Sequence, residues 1–423
     1  MDRNRIFIKR LFVCMLMWMV AGVYEAIAQV HDPDTVEVLS AIVRDRKTRE
    51  RLAHVSVTVV GTSMGTVTNA DGVFAIKVPR RLQRRQIEVS HMGYRSERLT
   101  LAVETGDRLP VVWLTPVARN LGEVVIYGGN ARRIIETALA KILANYPDTP
   151  TTTSVFYRET VQKRHRFTSV SEGMLDVYKT AYKRRDVSRD KVRLAKARRL
   201  MSQKKGDTLA IKVEGGPNLA LCYDVVKNGD ALFDSQTVDW YAFELESTVM
   251  LDRRPQYVIS FKPRVFTDYA LMVGKVYVDC ERLSFTKAEF SLDLTDRDRA
   301  VASILHRKPA GLRFRPLALT FLVSYRQHDG VTRLNYIGSE MRFKCDWKRR
   351  WFSSSYTVRS EMVTVDHRPL VSHAISPREV FGTKQIFDDL VDEYGSEDFW
   401  RDYNIIEPTE SLENAVRKLR KNR

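Results

Sequence analysis

Val55–Pro79 reads VSVTVVGTSMGTVTNADGVFAIKVP, and its grammar decides the fold of the first part of the chain. β-Branched residues dominate Val55–Val60, as they do in strands with one buried face. Gly61-Thr62-Ser63-Met64-Gly65 breaks the run and Thr66-Val67-Thr68 resumes it. Asn69-Ala70-Asp71-Gly72 is a turn, because Asn, Asp and Gly tolerate the positive φ of tight turns. Val73–Val78 then alternates, with Phe74, Ile76 and Val78 on one face, until Pro79 stops it. That leaves no room for a helix. Working outward, Val36–Arg44, Ile87–Ser90, Leu99–Val103 and Val111–Leu114 carry the same pattern. Six or seven short strands predict a small antiparallel sandwich over residues 36–116.

Several of these residues carry a resemblance. Gly61-Thr62-Ser63 with Gly65-Thr66, then Thr68–Gly72, Phe74 and Gly93-Tyr94, resemble the carboxypeptidase-like regulatory domain of Bacteroidetes envelope proteins. The resemblance implies a transthyretin-like β-sandwich, an accessory module without catalytic residues. Leu121–Ile126 (LGEVVI) is similar to the segment that follows this module in TonB-dependent outer-membrane receptors. A 22-stranded barrel would need several hundred residues more than remain.

Residues 1–28 read as a cleavable export signal. Arg3, Arg5, Lys9 and Arg10 precede the apolar run Leu11–Val23, and Ala26-Ile27-Ala28 fits a cleavage site before Gln29. An uncleaved anchor is the competing reading, but about thirteen apolar residues fall short of the roughly twenty a spanning helix needs. Removal of the leader leaves Cys222, Cys280 and Cys345, too few and too widely spaced for a disulfide framework or zinc cluster. Sequence does not say whether two of them pair. The chain holds 69 basic and 52 acidic residues, a net charge of +17, concentrated in Lys163–Lys205 and at Lys348-Arg349-Arg350. In an exported protein such an excess points to an anionic membrane surface, not to nucleic acid; a merely solvated basic face is the plainer alternative.

Residues 117–150 form a linker and a helix: after Gly128-Gly129, Ala131–Tyr146 places Ile134, Ile135, Ala138, Leu139, Ile142 and Leu143 on one stripe. Residues 151–398 read as a β-rich domain, with strands at Ser154–Lys163, Phe167–Tyr178, Thr237–Leu251, Tyr257–Lys262, Gly274–Asp279, Lys287–Thr295, Ala318–Gln327, Arg333–Lys344 and Ser353–Val365. Ser188–Gln203 and Leu219–Asn228 are expected as helices. Long strands with one apolar face and a few helices predict a mainly β fold: sandwich, then a larger curved antiparallel sheet closing over packed helices. Residues 399–423 are a docking tail, with Trp400 and Tyr403 as anchors and a helix Ser411–Leu419 capped by Ser411 and striped by Leu412, Ala415, Val416 and Leu419.

The strand rhythm of Tyr257–Phe261, Gly274–Asp279 and Ala288–Phe290 resembles the periplasmic lipoprotein-carrier fold, and the succession of sandwich, helix, Phe156-Tyr157-Arg158-Glu159 and sheet looks like that of envelope proteins pairing the two. The resemblance implies an incomplete barrel sheltering acyl chains, for which Val276, Val278, Phe290, Leu292, Phe321 and Val323 are the candidate cavity residues.

Catalytic signals are weak. Gly61-Thr62-Ser63-Met64-Gly65 matches the nucleophile-elbow spacing, but another strand follows where a helix is required. No His is followed by Glu at zinc-carboxypeptidase spacing and there is no H-E-x-x-H. Asp293, Asp296 and Asp298 lack the glycine and terminal Glu of a calcium loop and read as a charged loop. Glu159 and Glu172 are a carboxylate pair only if the fold brings them together. The expectation is therefore a non-catalytic exported envelope protein without metal or cofactor. It would act at the periplasmic face of the outer membrane as a binding or assembly module, sheltering a lipid or lipoprotein acyl chain. A scaffold that engages an envelope protein through the sandwich is the alternative, and a hydrolase with a site invisible in sequence is a third.

Overall fold

A computed structural model describes residues 36–82, 85–100, 109–117, 130–202, 216–305, 311–347, 353–368, 375–376, 378–382, 387 and 404–421. The expected export signal, Leu121–Ile126, Lys348-Arg349-Arg350, Trp400 and Tyr403 lie outside these residues. The chain clusters into two units, Met1–Glu37 with Val78–Arg84, and Val38–Lys77 with Arg85–Arg423. Within the first, Arg80–Leu82 forms a single 3-10 turn and Arg80 Nε lies 3.9 Å from Glu37. Every site discussed below belongs to the second.

Among the described residues the sandwich contains seven strands: β1 Val36–Asp45, β2 Ser56–Val59, β3 Gly65–Val67, β4 Val73–Pro79, β5 Ile87–Ser90, β6 Glu97–Leu99 and β7 Val111–Leu114. They form sheets of order β4-β1-β7 and β3-β2-β5-β6. The β1–β7 pair is parallel, with Val43 opposite Val112, so the sandwich is not purely antiparallel as the sequence predicts. Its turn residues act as the pattern requires. Asn69 Oδ1 accepts from the backbone N–H of Asp71 and Val73 at 2.9 and 3.0 Å. Gly72 has φ +71°, and a β-carbon there would lie 2.8 Å from the Val43 carbonyl oxygen. Tyr94 donates to Asp45 Oδ2 at 2.7 Å, so the Gly93-Tyr94 pair pins one edge of the sandwich to the β1 turn.

Helix α1 Ala131–Ala140 starts at Asn130, whose Oδ1 accepts from the Arg133 N–H at 3.2 Å. It buries Ala131, Ile134, Ile135 and Ala138, but breaks at Lys141 before α2 Ile142–Asn145. The break turns Leu143 outward to 55% exposure, off the predicted stripe.

Ten strands make the large sheet: β8 Thr151–Lys163, β9 Arg166–Lys179, β10 Lys191–Met201, β11 Tyr241–Leu251, β12 Arg254–Pro263, β13 Met272–Asp279, β14 Phe285–Leu292, β15 Leu312–His328, β16 Val331–Trp347 and β17 Ser354–Arg368. The order β10-β9-β8-β17-β16-β15-β14-β13-β12-β11 is two meanders joined where β17 pairs antiparallel with β8. β10 occupies the stretch expected to be the basic helix Ser188–Gln203. Its buried residues are Val192, Leu194, Ala197 and Leu200, and the register shifts between Leu194 and Lys196. That bulge stretches a period of two into spacings of two, three and three, which imitate a helix.

Helix α3 Pro217–Cys222 is shorter than the predicted Leu219–Asn228, because the chain turns at Asp224 to bury that carboxylate. Helix α4 Arg297–Ile304 corrects the charged-loop reading: Asp296 is its N-cap, accepting from the N–H of Asp298 and Arg299 at 3.0 and 3.2 Å. Helix α5 Glu410–Lys421 is capped by Thr409 Oγ1, which accepts from Leu412 N–H at 3.2 Å, two residues before the predicted cap Ser411. Its Leu412 and Leu419 pack on Val170 and Leu200. The three cysteines are free, and burial pushes the Cys280 thiol up to about 12. No helix among the described residues is long and apolar enough to cross a membrane.

Candidate functional site

The two faces of the large sheet are built differently. Alternation sends Val155, Tyr157, Leu175, Val276, Phe290 and Val323 to one face, where they pack with Ile134, Ile135 and Leu221 of the helices. A void described there, between Pro147, Val155, Tyr182, Leu221 and Leu334, is about 20 Å³, room for about one water. The opposite face receives the sandwich and the C-terminal segment. Val67 of β3 and Ile405-Ile406 pack on Phe156, Met174, Val363 and Val365.

Hydrogen bonds fasten this second layer. The C-terminal segment threads between sandwich and sheet as a strap: Thr66 Oγ1 donates to the Ile405 carbonyl at 2.8 Å, and Asn69 Nδ2 donates to the carbonyls of Glu407 and Pro408 at 3.2 and 3.0 Å. From the sheet, Arg158 Nη2 donates to the Ile406 carbonyl at 2.7 Å. Ser63 Oγ donates to Asp366 Oδ1 at 2.6 Å, and Arg326 Nη2 donates to the Ser63 carbonyl at 2.8 Å. Ser63 thus sits in a strand-to-strand loop held by a carboxylate, not on a nucleophile elbow.

Between these fastenings lie three cavities in a row. The first, about 330 Å³, is lined by Arg158, Glu361, Arg359, Glu407, Tyr336 and Leu322 among others. The second, about 270 Å³, shares His54 and Leu322 with it and adds His91, Lys287, Ser324, Arg326 and Asn335. The third, about 200 Å³, shares Leu251, Asp252, Thr286 and Tyr325 with the second. Shared walls make them one polar seam along the sheet.

Charge is placed on this face with care. Arg158 is 2% exposed and Glu172 1%. Arg158 Nε donates to Glu172 Oε1 at 2.7 Å, Arg198 Nε donates to Oε2 at 2.5 Å, and Arg158 Nη1 lies 3.8 Å from Glu361. Burial alone would raise the Glu172 carboxyl, but the two guanidiniums hold it below the usual range. Glu407 accepts no side-chain hydrogen bond among the described residues, and burial raises its carboxyl. Tyr336 lies along the strand over Gly338, where a β-carbon would be 2.5 Å from its hydroxyl; only glycine leaves the ring that bed.

Burial, with Lys287 next and His54 adding slightly, pushes His91 down to about 4, while the contact with the Met92 backbone and then Glu289 act the other way. Its Nδ1 lies 3.1 Å from the Met92 carbonyl, which only accepts, so Nδ1 carries the proton. The folded imidazole stays neutral where the unfolded one, near 6.5, is already charged. Unfolded chains then bind more protons, so the stability His91 contributes is complete above about pH 6.5 and is lost as pH falls toward 4. Urea unfolding at pH 7 and pH 4.5 should show the native chain losing about 1–2 kcal/mol more than His91→Gln. Equal losses would remove His91 from the acid response.

The six residues proposed from sequence are all buried at 4% or less. Val276, Val278, Phe290, Phe321 and Val323 belong to one core cluster on the helix-covered face, where Phe290 and Phe321 stack with ring centroids 4.9 Å apart. Leu292 is buried at the end of β14, and Phe321 also reaches the wall of the first cavity. Glu159 and Glu172 are not brought together: Glu159 Oε2 accepts from Tyr157 and from Gly216 N–H on the helix side, Glu172 from the arginines on the seam side. The basic stretch is partly consumed inside the fold, with Arg198 on Glu172, Arg193 on Asp176, and Arg185 Nε donating to the Val226 carbonyl. No group of three or more His, Cys, Asp or Glu among the described residues is placed to hold a metal. Sequence reasoning missed Arg158, Arg326 and Glu407; the available signal was an arginine at an alternate position of an otherwise apolar strand face.

The layout of the sandwich, its Asn69–Gly72 turn and its Tyr94–Asp45 tie can now be set beside known proteins. The CarboxypepD_reg-like domain matches residues 41–126. The matched segment runs from the middle of β1 through β7 and reaches Leu121–Ile126. Among solved structures, a DUF1329 family protein from Desulfovibrio piger aligns over 58% of this chain and 95% of its own, at 10% identity and a TM-score of 0.25. A LolA superfamily protein from Nitrosomonas europaea aligns over 56% and 94%, at 14% identity and a TM-score of 0.21. Lipovitellin aligns over 55% of this chain and 27% of its own, at 8% identity and a TM-score of 0.24. No curated protein matches the chain.

Proposed function

We propose that this chain is a non-catalytic binding module of the cell envelope, whose ligand is held in the seam between its CarboxypepD_reg-like sandwich and its large sheet. One observation carries the reading: among the described residues, three adjoining cavities with shared walls, of about 330, 270 and 200 Å³, line the sandwich side, while the void described among the helix-side residues Val155, Tyr182 and Leu221 holds about 20 Å³. Amides, hydroxyls and ion pairs line the seam, which suits a polar compound or the polar head of an amphiphile. Export rests on the basic and apolar N-terminal stretch, and the envelope setting on the resemblance of the sandwich. Sheltering an acyl chain among Val276, Phe290 and Phe321 would require that core to open. In the scaffold alternative the sandwich would dock an envelope partner, through a surface other than Asn69, which the strap already occupies.

Leu322 is half-buried and lines the first two cavities, so Leu322→Trp should fill their common wall. Native mass spectrometry of the chain purified from cells should show a small non-covalent adduct that denaturation releases. Its occupancy should fall about tenfold in Leu322→Trp, the loss expected when a bound group no longer fits. An adduct of equal occupancy in both proteins would place the ligand elsewhere.

A further inference from the structure

Arg326 on β15 is half-buried and, among the described residues, has no carboxylate in ion-pair contact. Nη2 has the Ser63 carbonyl, but Nη1 is sealed from solvent and has no hydrogen-bond partner among the described residues. No carboxylate oxygen of those residues forms an ion pair with it; Asp252, Asp366 and Glu88 act only at a distance. Burial pushes the guanidinium down to about 10. Charges withdrawn from water are ordinarily paired, since an unpaired one costs several kcal/mol. The fold nevertheless makes room for this one: a β-carbon at Gly65 would lie 2.5 Å from Nη1.

Around Arg326, the second cavity collects further donors. Lys287 stands on the neighbouring strand, opposite Ser324, and is engaged by Glu289 at 2.5 Å. Asn335 is 5% exposed, and its amide has one contact, Nδ2 to Ser324 Oγ at 3.4 Å. Ser56 Oγ is buried without a hydrogen-bond partner among the described residues, and His91 is held neutral. Two cations, hydroxyls and an under-used amide line about 270 Å³ together with two carboxylates, Glu289, which Lys287 engages, and Asp252; the donors not used by these carboxylates are the recognition chemistry of an oxyanion.

We propose that the second cavity is an oxyanion subsite. A phosphate or carboxylate group of the ligand sits against Arg326 and Lys287 and supplies the missing counter-charge, while the rest of the ligand extends past His54 and Leu322 into the first cavity. The proposal rests on the seam as the binding site. The group belongs either to a lipid head group or to a free small anion.

The test is thermal unfolding of the full chain in potassium phosphate against potassium chloride at matched ionic strength, because phosphate also stabilises proteins generally. Native chain should gain a saturable rise that Arg326→Gln loses, with half-saturation moved by about tenfold or more. Should Arg326→Gln fail to fold, Lys287→Gln, which leaves the Ser63 bond intact, should show the same shift. Phosphatidylglycerol vesicles that bind the native chain, with phosphate competing, assign the group to a lipid; a phosphate response without vesicle binding assigns it to a free anion. A response unchanged in both variants overturns the subsite. If Leu322→Trp still abolishes the co-purified adduct, the seam stands and only the oxyanion assignment falls.

Discussion

Replacing Asp224 by asparagine should lower stability by about 3–5 kcal/mol, the cost of leaving a buried partner charge uncompensated. Asp224 is wholly buried. Its Oδ2 accepts from Lys179 Nζ at 2.5 Å and from Tyr182 at 2.9 Å, and its Oδ1 accepts from Tyr325 at 2.8 Å. Burial would raise this carboxyl, but Lys179, Tyr325 and Tyr182 hold it below its usual range. The cluster joins three elements: Lys179 ends β9, Tyr325 belongs to β15, and Asp224 lies in the turn after α3. Tyr146 stacks on Tyr182 at 5.3 Å and meets Tyr325 edge-on at 5.8 Å, so α2 depends on the same group. Asparagine keeps the shape and removes the charge, leaving the Lys179 ammonium without its hydrogen-bonded carboxylate and with Asp190 acting on it only at a distance. Urea unfolding measures the loss. Adding Lys179→Met should recover most of it, because the stranded charge leaves with its partner. A single-variant loss under about 1 kcal/mol would mean that Lys179 finds water or another acceptor.

Arg158→Met should cost about 3–5 kcal/mol and also loosen the strap. The substitution leaves Glu172 with Arg198 alone, and the Arg198 side chain is 22% exposed where that of Arg158 is 3%. It also deprives the Ile406 carbonyl of its donor, at the point where Ile405-Ile406 close over Phe156 and Val363. Arg158→Lys should recover only part of the loss, since an ammonium cannot repeat the fork that spans Glu172, Ile406 and Glu361. Hydrogen exchange adds a readout that stability alone would not give. Amides of Asn404–Ile406 should exchange faster in Arg158→Met than global unfolding explains. Exchange in step with global unfolding would show that the strap is held by its apolar contacts and not by Arg158.

What the sequence reveals depends on how local the cause is. The Asn69–Gly72 turn and the alternation of Phe74, Ile76 and Val78 are set by neighbours within four residues, and the structure realises them. The strands from β8 to β17 were readable for the same reason, with β10 the exception because its bulge disguised the period. Helix α4 was missed because Asp296 and Asp298 read as a charge cluster, while their capping role shows only once the helix exists. The seam is harder in principle. His54, Arg158, Leu322 and Glu407 are spread over most of the chain, and only the pairing of β17 with β8 and the path of the strap bring them to one wall. The six apolar candidates were chosen by alternation, which identifies residues that face a core. It cannot distinguish a filled core from a hollow one.

The most direct measurement is a crystal structure of the chain purified from cells without a refolding step. The account predicts ordered ligand density in the seam, against Arg326 and Lys287 and running past Leu322 toward Arg158 and Glu361. Density for an extended acyl chain on the other face, parting Phe290 from Phe321 beneath the helices, with only water in the seam, would contradict it.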